Sequence, residues 1–136
     1  MWDVAGFRVE GEDFSLVVEP PADPGFQAAL GIVSEEPGEF DGAFAQLDVE
    51  ITLRMYLTLG VLLGVAHPGI DAHETYQGAG EGFRVEVASA SGRGALAAVS
   101  LEQYGPGRLV RVCVLLGGED TRRVYDTLGV LLGLGS

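Results

Sequence analysis

An eleven-residue stretch is written twice in this chain. Arg54-Met-Tyr-Leu-Thr-Leu-Gly-Val-Leu-Leu-Gly64 recurs as Arg123-Val-Tyr-Asp-Thr-Leu-Gly-Val-Leu-Leu-Gly133, with nine of eleven positions identical at an offset of 69. A second match, Gly6-Phe-Arg-Val-Glu10 with Gly82-Phe-Arg-Val-Glu86, stands at an offset of 76 and in the same order. Self-similarity of this kind points to one supersecondary unit used more than once. Two copies are too few for a solenoid, and 136 residues suit one domain with its own core. The expectation is a single domain whose halves are related by a pseudo-twofold. The difference between the two offsets places seven extra residues in the first copy, in Glu19-Pro-Pro-Ala-Asp-Pro-Gly25 and Glu35-Glu-Pro-Gly-Glu-Phe-Asp-Gly42, which read as turns or loops.

The second copy has the plainer pattern. Phe83-Arg-Val-Glu-Val-Ala-Ser-Ala90 alternates apolar and polar residues, as a half-buried strand does. Ser91-Gly-Arg-Gly94 turns the chain into a second strand over 95–104. Gly105-Pro-Gly107 breaks it before a third strand over 108–116, where Val110, Val112 and Val114 share one face. Glu119 and Asp120 put negative charge where a helix N-terminus favours it. Val124, Leu128, Leu131 and Leu132 follow at helical spacing, so 120–134 reads as a helix. The unit is β-β-β-α.

In the first copy, Leu47, Val49, Ile51, Leu53, Met55, Leu57 and Leu59 alternate with polar residues, a pattern that by itself says strand. The repeat says helix from about Glu50. The reading adopted is a strand over 44–49 and then a helix to residue 66. The expected fold is therefore α+β: two tandem β-β-β-α units in one domain over 1–136, with helices packed on an antiparallel sheet. Copy 1 covers about 5–68, copy 2 about 80–136, and the linker about 67–80.

Gly60 and Gly64 are four residues apart, as are Gly129 and Gly133, so each pair lies on one face of a helix. A glycine inside a helix costs about 1 kcal/mol relative to alanine. Close approach of another backbone would offset that cost, which makes these four the candidate helix-packing residues.

Charge and cysteine usage narrow the function classes. Acidic residues number 20 and basic residues 8, all of them Arg, for a net charge of −12. Residues 1–68 carry 12 acids and 2 Arg, and residues 69–136 carry 8 acids and 6 Arg. A field of this sign repels phosphate backbones and anionic lipid, which argues against nucleic-acid and membrane partners. The longest apolar run, 59–66, is too short to span a bilayer. No basic and then apolar leader opens the chain, so a cytoplasmic protein is expected. The lone Cys113 excludes an internal disulfide framework and sits in an apolar strand-like run, where a buried, inert thiol is expected.

His67, Asp71, His73 and Glu74 form the one cluster with metal-ligand character, and it falls on the linker. Its spacing matches no zinc signature, and Asp71-Ala-His-Glu74 equally spells a capping box opening one helical turn. Gly78-Ala-Gly-Glu-Gly82 precedes a strand and not a helix, so it does not read as a phosphate loop. Ser89 and Ser91 lack the nucleophile-elbow pattern, and no His follows them. No cofactor is expected. The function expected is a non-enzymatic protein-binding or adaptor domain, acting through a sheet edge or apolar face on a protein partner or a second copy. In architecture alone, β-β-β-α twice in a small acidic chain is similar to secretion-chaperone-like domains. The alternative is a metal-dependent enzyme or regulator using His67, Asp71, His73 and Glu74.

Overall fold

A computed structural model describes residues 7–10, 14–34, 42–65, 73–90, 94–105 and 107–134. Among these the elements in chain order are β1 (Phe7–Glu10), β2 (Phe14–Glu19), β3 (Ala28–Ser34), β4 (Gly42–Leu47), α1 (Val49–Leu63), β5 (Tyr76–Gly80), β6 (Phe83–Ser89), β7 (Ala95–Gly105), β8 (Arg108–Gly117) and α2 (Gly118–Leu131). Strands β1 to β4 form one antiparallel sheet in chain order, and β5 to β8 form a second. The chain is a single α+β domain, with two antiparallel sheets and two helices among the described residues.

Alternation along the strands sends one set of side chains inward. Leu16, Val18, Leu30, Ile32, Ala43, Ala45 and Leu47 of the first sheet are buried. So are Phe83, Val85, Val87, Val99, Leu101, Val112, Val114 and Leu116 of the second. Helix α1 adds Ile51, Met55 and Leu59, and α2 adds Val124, Tyr125 and Leu128, each set on one helical face. All of them join one core, and burying a side chain of this kind stabilises by about 1.5–3 kcal/mol. Helix α1 lies against β5, β6 and β7 as well as β4, while α2 lies against β7, β8 and β2. The two halves thus bury their apolar faces jointly.

The period-2 stretch is divided at Asp48. Strand β4 ends at Leu47 and α1 begins at Val49. The Asp48 carboxylate accepts from the Ile51 N–H at 2.8 Å, a side-chain cap that satisfies a helix donor with no partner in the helix. At the other end, Gly64 takes φ +80°, its N–H bonds the Val61 carbonyl at 3.0 Å, and the Val65 N–H bonds the Gly60 carbonyl at 2.8 Å. Helix α2 ends the same way: Gly133 takes φ +78°, with Gly133 N–H to the Val130 carbonyl at 3.0 Å and Leu134 N–H to the Gly129 carbonyl at 2.8 Å. The repeated Leu-Gly-Val-Leu-Leu-Gly is therefore a helix-ending sequence, closed by a left-handed glycine.

The two sheets share one register displaced by 69. Phe7↔Val18 in the first corresponds to Tyr76↔Val87 in the second. Val18↔Leu30 corresponds to Val87↔Val99, and Leu30↔Ala45 to Val99↔Val114. This corrects three expectations. Each half is β-β-β-β-α, with four strands and not three, because β5 lies inside the segment read as linker. Tyr76-Gln-Gly-Ala-Gly80 has two glycines and no run of apolar alternation, so it carries no strand signal of its own; pairing with β6 makes it a strand. There is also no seven-residue insertion in the first half. Phe7–Glu10 is the first strand of its sheet, whereas Phe83–Glu86 begins the second strand of the other, so the match at an offset of 76 joins unlike positions. Nor does a helical turn occupy 73–75, where the chain is irregular up to β5.

Candidate functional site

The outward face of the second sheet gathers the polar side chains that the core excludes. Register places Ala79, Arg84, Glu102 and Arg111 side by side across β5 to β8, with Gln77, Glu86, Ser100 and Cys113 in the next row. Gln77, Arg84, Glu86, Ser100, Glu102 and Arg111 line a shallow depression of about 110 Å³. Gln77 Nε2 donates to Glu86 Oε2 at 2.7 Å. Tyr104 OH donates to Glu102 Oε1 at 2.5 Å, and Arg111 Nε stands 3.8 Å from Glu102 Oε2. Glu102 is held among these neighbours with its side chain only 19% exposed, against 68% for Arg111. The hydrogen bond to Glu102 pushes the Tyr104 phenol above its ordinary pKa. Two arginines face two glutamates, so the depression is formally neutral. Exposed Tyr104, Leu109 and Leu115 stand on the same outward face.

The equivalent face of the first sheet has a different chemistry. The residues 69 positions before Arg84, Glu86, Ser100, Glu102 and Arg111 are Ser15, Val17, Gly31, Val33 and Gly42. Phe44 stands where Cys113 does, half exposed, with its ring over Gly31, where a Cβ would come within 2.5 Å of Phe44 Cε1. On β2 to β4 the same backbone in the same register tolerates an apolar, glycine-rich face, while the β1 positions equivalent to Gln77 and Ala79 are Arg8 and Glu10. The charges on the second sheet are therefore not demanded by the fold.

The residues singled out from the sequence lie elsewhere. His73 and Glu74 are exposed in the segment before β5, while His67 and Asp71 lie outside the described residues. Among the described residues no group of three or more His, Cys, Asp or Glu is placed to hold a metal ion. Gly64 and Gly133 cap the helices, and nothing lies within 4 Å of where their Cβ atoms would be. Gly60 is buried in α1. Gly129 meets the Tyr56 ring, whose Cε1 would lie 2.8 Å from a Cβ. Tyr56 and Tyr125 stack between the helices with centroids 4.3 Å apart and planes 7° from parallel. Burial first, then the hydrogen bond with Tyr56, pushes the Tyr125 phenol up to about 12.

Cys113 is exposed, which corrects the expected buried thiol. It occupies an outward position between buried Val112 and Val114 in a run that looks apolar throughout. In the sequence Arg84, Glu86, Glu102 and Arg111 are simply polar positions within strand-like stretches. The signal that could have found them is the contrast with their counterparts 69 positions earlier. Among the described residues no helix is long and apolar enough to cross a membrane.

No protein-family model matches the chain, and no curated protein matches it by sequence. In structure it is similar to MRP1/MRP2 of Trypanosoma brucei, with a TM-score of 0.65 and 15% identity over 93% of this chain and 83% of that one. It is similar to the plant transcriptional regulator PBF-2, with a TM-score of 0.62 and 10% identity over 98% of this chain and 91% of that one. It is also similar to WHY1 of Arabidopsis thaliana, with a TM-score of 0.61 and 10% identity over 96% of this chain and 89% of that one. At these identities the likeness is one of fold. A transcriptional regulator shares this architecture almost from end to end, so a negative sum of charges is no ground for excluding nucleic acid. The exclusion of nucleic acid falls, and with it the reading of an acidic, chaperone-like protein adaptor that binds no nucleic acid.

Proposed function

We propose that this chain binds single-stranded nucleic acid on the outward face of its second sheet and serves in the regulation of transcription. The observation that carries the reading is the likeness to the transcriptional regulator PBF-2 over 98% of this chain. The chemistry of the face favours a single strand over a duplex. Duplex binding draws chiefly on phosphate neutralisation, with roughly 0.9 counterions released per contact, and a chain of net charge −12 has a poor field for that. A single strand offers unstacked bases, and stacking on an aromatic ring contributes about 1–3 kcal/mol per base with little demand on net charge. Tyr104 and the guanidinium planes of Arg84 and Arg111 are the groups suited to stacking. Leu109 and Leu115 extend the apolar part of the face.

A second part of the proposal concerns origin. The two β-β-β-β-α halves descend from one duplicated module and are related by a pseudo-twofold. The common register at an offset of 69 supports this. With the scaffold doubled, one outward face was left free to acquire charged and polar side chains.

Fluorescence anisotropy of labelled single-stranded oligonucleotides, alone and annealed to their complements, tests the binding. Saturable binding is expected for the single strands and weaker binding for the duplexes. Tyr104→Ala is expected to weaken single-strand affinity by roughly 5- to 150-fold, the equivalent of one lost stack. No saturable binding of any single strand at low salt overturns the reading.

A further inference from the structure

The geometry points to a guanine-selective base site in the depression on the second sheet, in which Glu102 receives the donor edge of the base and Arg111 donates to its carbonyl oxygen. The inference rests on the single-strand reading and names which base that face prefers. A carboxylate at the centre of a nucleic-acid surface is unsuited to phosphate, which it repels, so its role is with a base. Among the four bases guanine alone presents two adjacent N–H donors on its Watson–Crick edge, N1–H and the N2 amino group, with the O6 acceptor beside them. Adenine and cytosine each offer one amino donor there, and thymine or uracil offers one N–H between two carbonyl oxygens that a carboxylate repels.

The residues fit that edge. Glu102 is flanked on the same row by Arg84 on β6 and Arg111 on β8. Its carboxylate is oriented by the Tyr104 hydroxyl at 2.5 Å and by Arg111 at 3.8 Å. A carboxylate has about four acceptor positions, so these two neighbours leave room for a pair of base donors. Holding the acceptor in place before binding lowers the ordering cost of recognition. The Arg111 side chain is 68% exposed and free to turn its fork toward O6. Gln77 and Glu86, joined at 2.7 Å, close the far wall of the depression. The first sheet carries Val33 in place of Glu102 and Gly42 in place of Arg111, so only the second sheet holds this set.

Single-stranded oligonucleotides of uniform thymine context, with one central guanine, adenine, cytosine, thymine or hypoxanthine, test the site by fluorescence anisotropy. The guanine strand is expected to bind roughly 5- to 150-fold more tightly than the others, the discrimination of a good bidentate pair. Hypoxanthine lacks the N2 amino group and is expected to lose most of that preference. Glu102→Gln, which exchanges one acceptor oxygen for a donor, is expected to bring the guanine-to-adenine affinity ratio close to one. Equal affinity for all the central bases overturns the guanine site and leaves single-strand binding standing. A preference that survives both hypoxanthine and Glu102→Gln overturns the role given to Glu102. Absence of binding to every strand overturns this inference and the function it rests on together.

Discussion

Gly129 lacks a side chain because the Tyr56 ring fills the space one would take, with Cε1 2.8 Å from a Cβ. The ring is itself stacked on Tyr125, so it has little room to yield. Gly129→Leu is expected to destabilise by about 1–3 kcal/mol through overpacking, outweighing the roughly 1 kcal/mol of helix propensity gained. Urea denaturation measures it, and a neutral or stabilising result would show that the ring moves aside. Gly64 and Gly133 are glycines for another reason, since open space surrounds them and their φ values of +80° and +78° strain any L side chain. The Tyr pair also sets a pH dependence. Tyr125 ionises near 12 in the folded chain against 10.0 for a free phenol. Because the folded pKa is the higher, the associated stability is complete below pH 10 and is lost as pH rises through 12. Denaturation midpoints across that window are expected to fall by the equivalent of roughly 1–2 kcal/mol in the parent beyond any fall in Tyr125→Phe.

The two helices begin differently although they occupy equivalent places. Asp48 caps α1, whereas Gly117 precedes α2 with no side-chain cap. Thr52 and Thr121, both buried, donate to the carbonyls of Asp48 and Gly117 at 2.7 Å, so the first turns are otherwise alike. Gly117 has φ −73° and ψ 178°, ordinary extended values, and a Cβ there would meet the Gly94 carbonyl oxygen at 3.5 Å. Gly117→Ser is therefore expected to stabilise by about 0.5–1 kcal/mol, and Asp48→Ala to destabilise by about 1 kcal/mol. Thermal or urea denaturation reads both. The same elements show how much of the fold was legible. Strands β6 to β8 and helix α2 follow from alternation and spacing, because each buries one face. The repeat by itself places the boundary between β4 and α1 near residue 49, where periodicity alone favours a strand, and the Asp48 cap sets it after Leu47. Strand β5 was illegible because its residues carry no preference, and its partner supplies the hydrogen bonds. At the candidate site only the alternation was visible, while the four glycines and the His67–Glu74 cluster drew notice through local spacing alone.

Net charge is a property of the whole molecule and does not describe any one face. The sum of −12 averages an acidic first half with a second half holding six of the eight arginines. Binding that works through bases is expected to depend weakly on salt. With two or three phosphate contacts, log K should fall against log salt with a slope of about −1.4 to −2.1. Anisotropy titrations over a salt series measure it, and a much steeper slope would move the source of affinity from stacking to the backbone.

Local chemistry determined where strands alternate, where Asp48 starts a helix and where Gly64 and Gly133 end one, and the sequence shows one eleven-residue stretch twice. Those signals lie within a few residues of one another, within reach of one turn of helix or one pleat of strand. Register between strands decided the rest. Arg84, Glu102 and Arg111 come from three strands and meet only because β6, β7 and β8 pair as they do. Likewise, α1 serves the second sheet as well as its own because the halves must cover each other's apolar faces. Neither fact is written in any local pattern, because both depend on which distant segment supplies the neighbouring hydrogen bonds and the apolar cover.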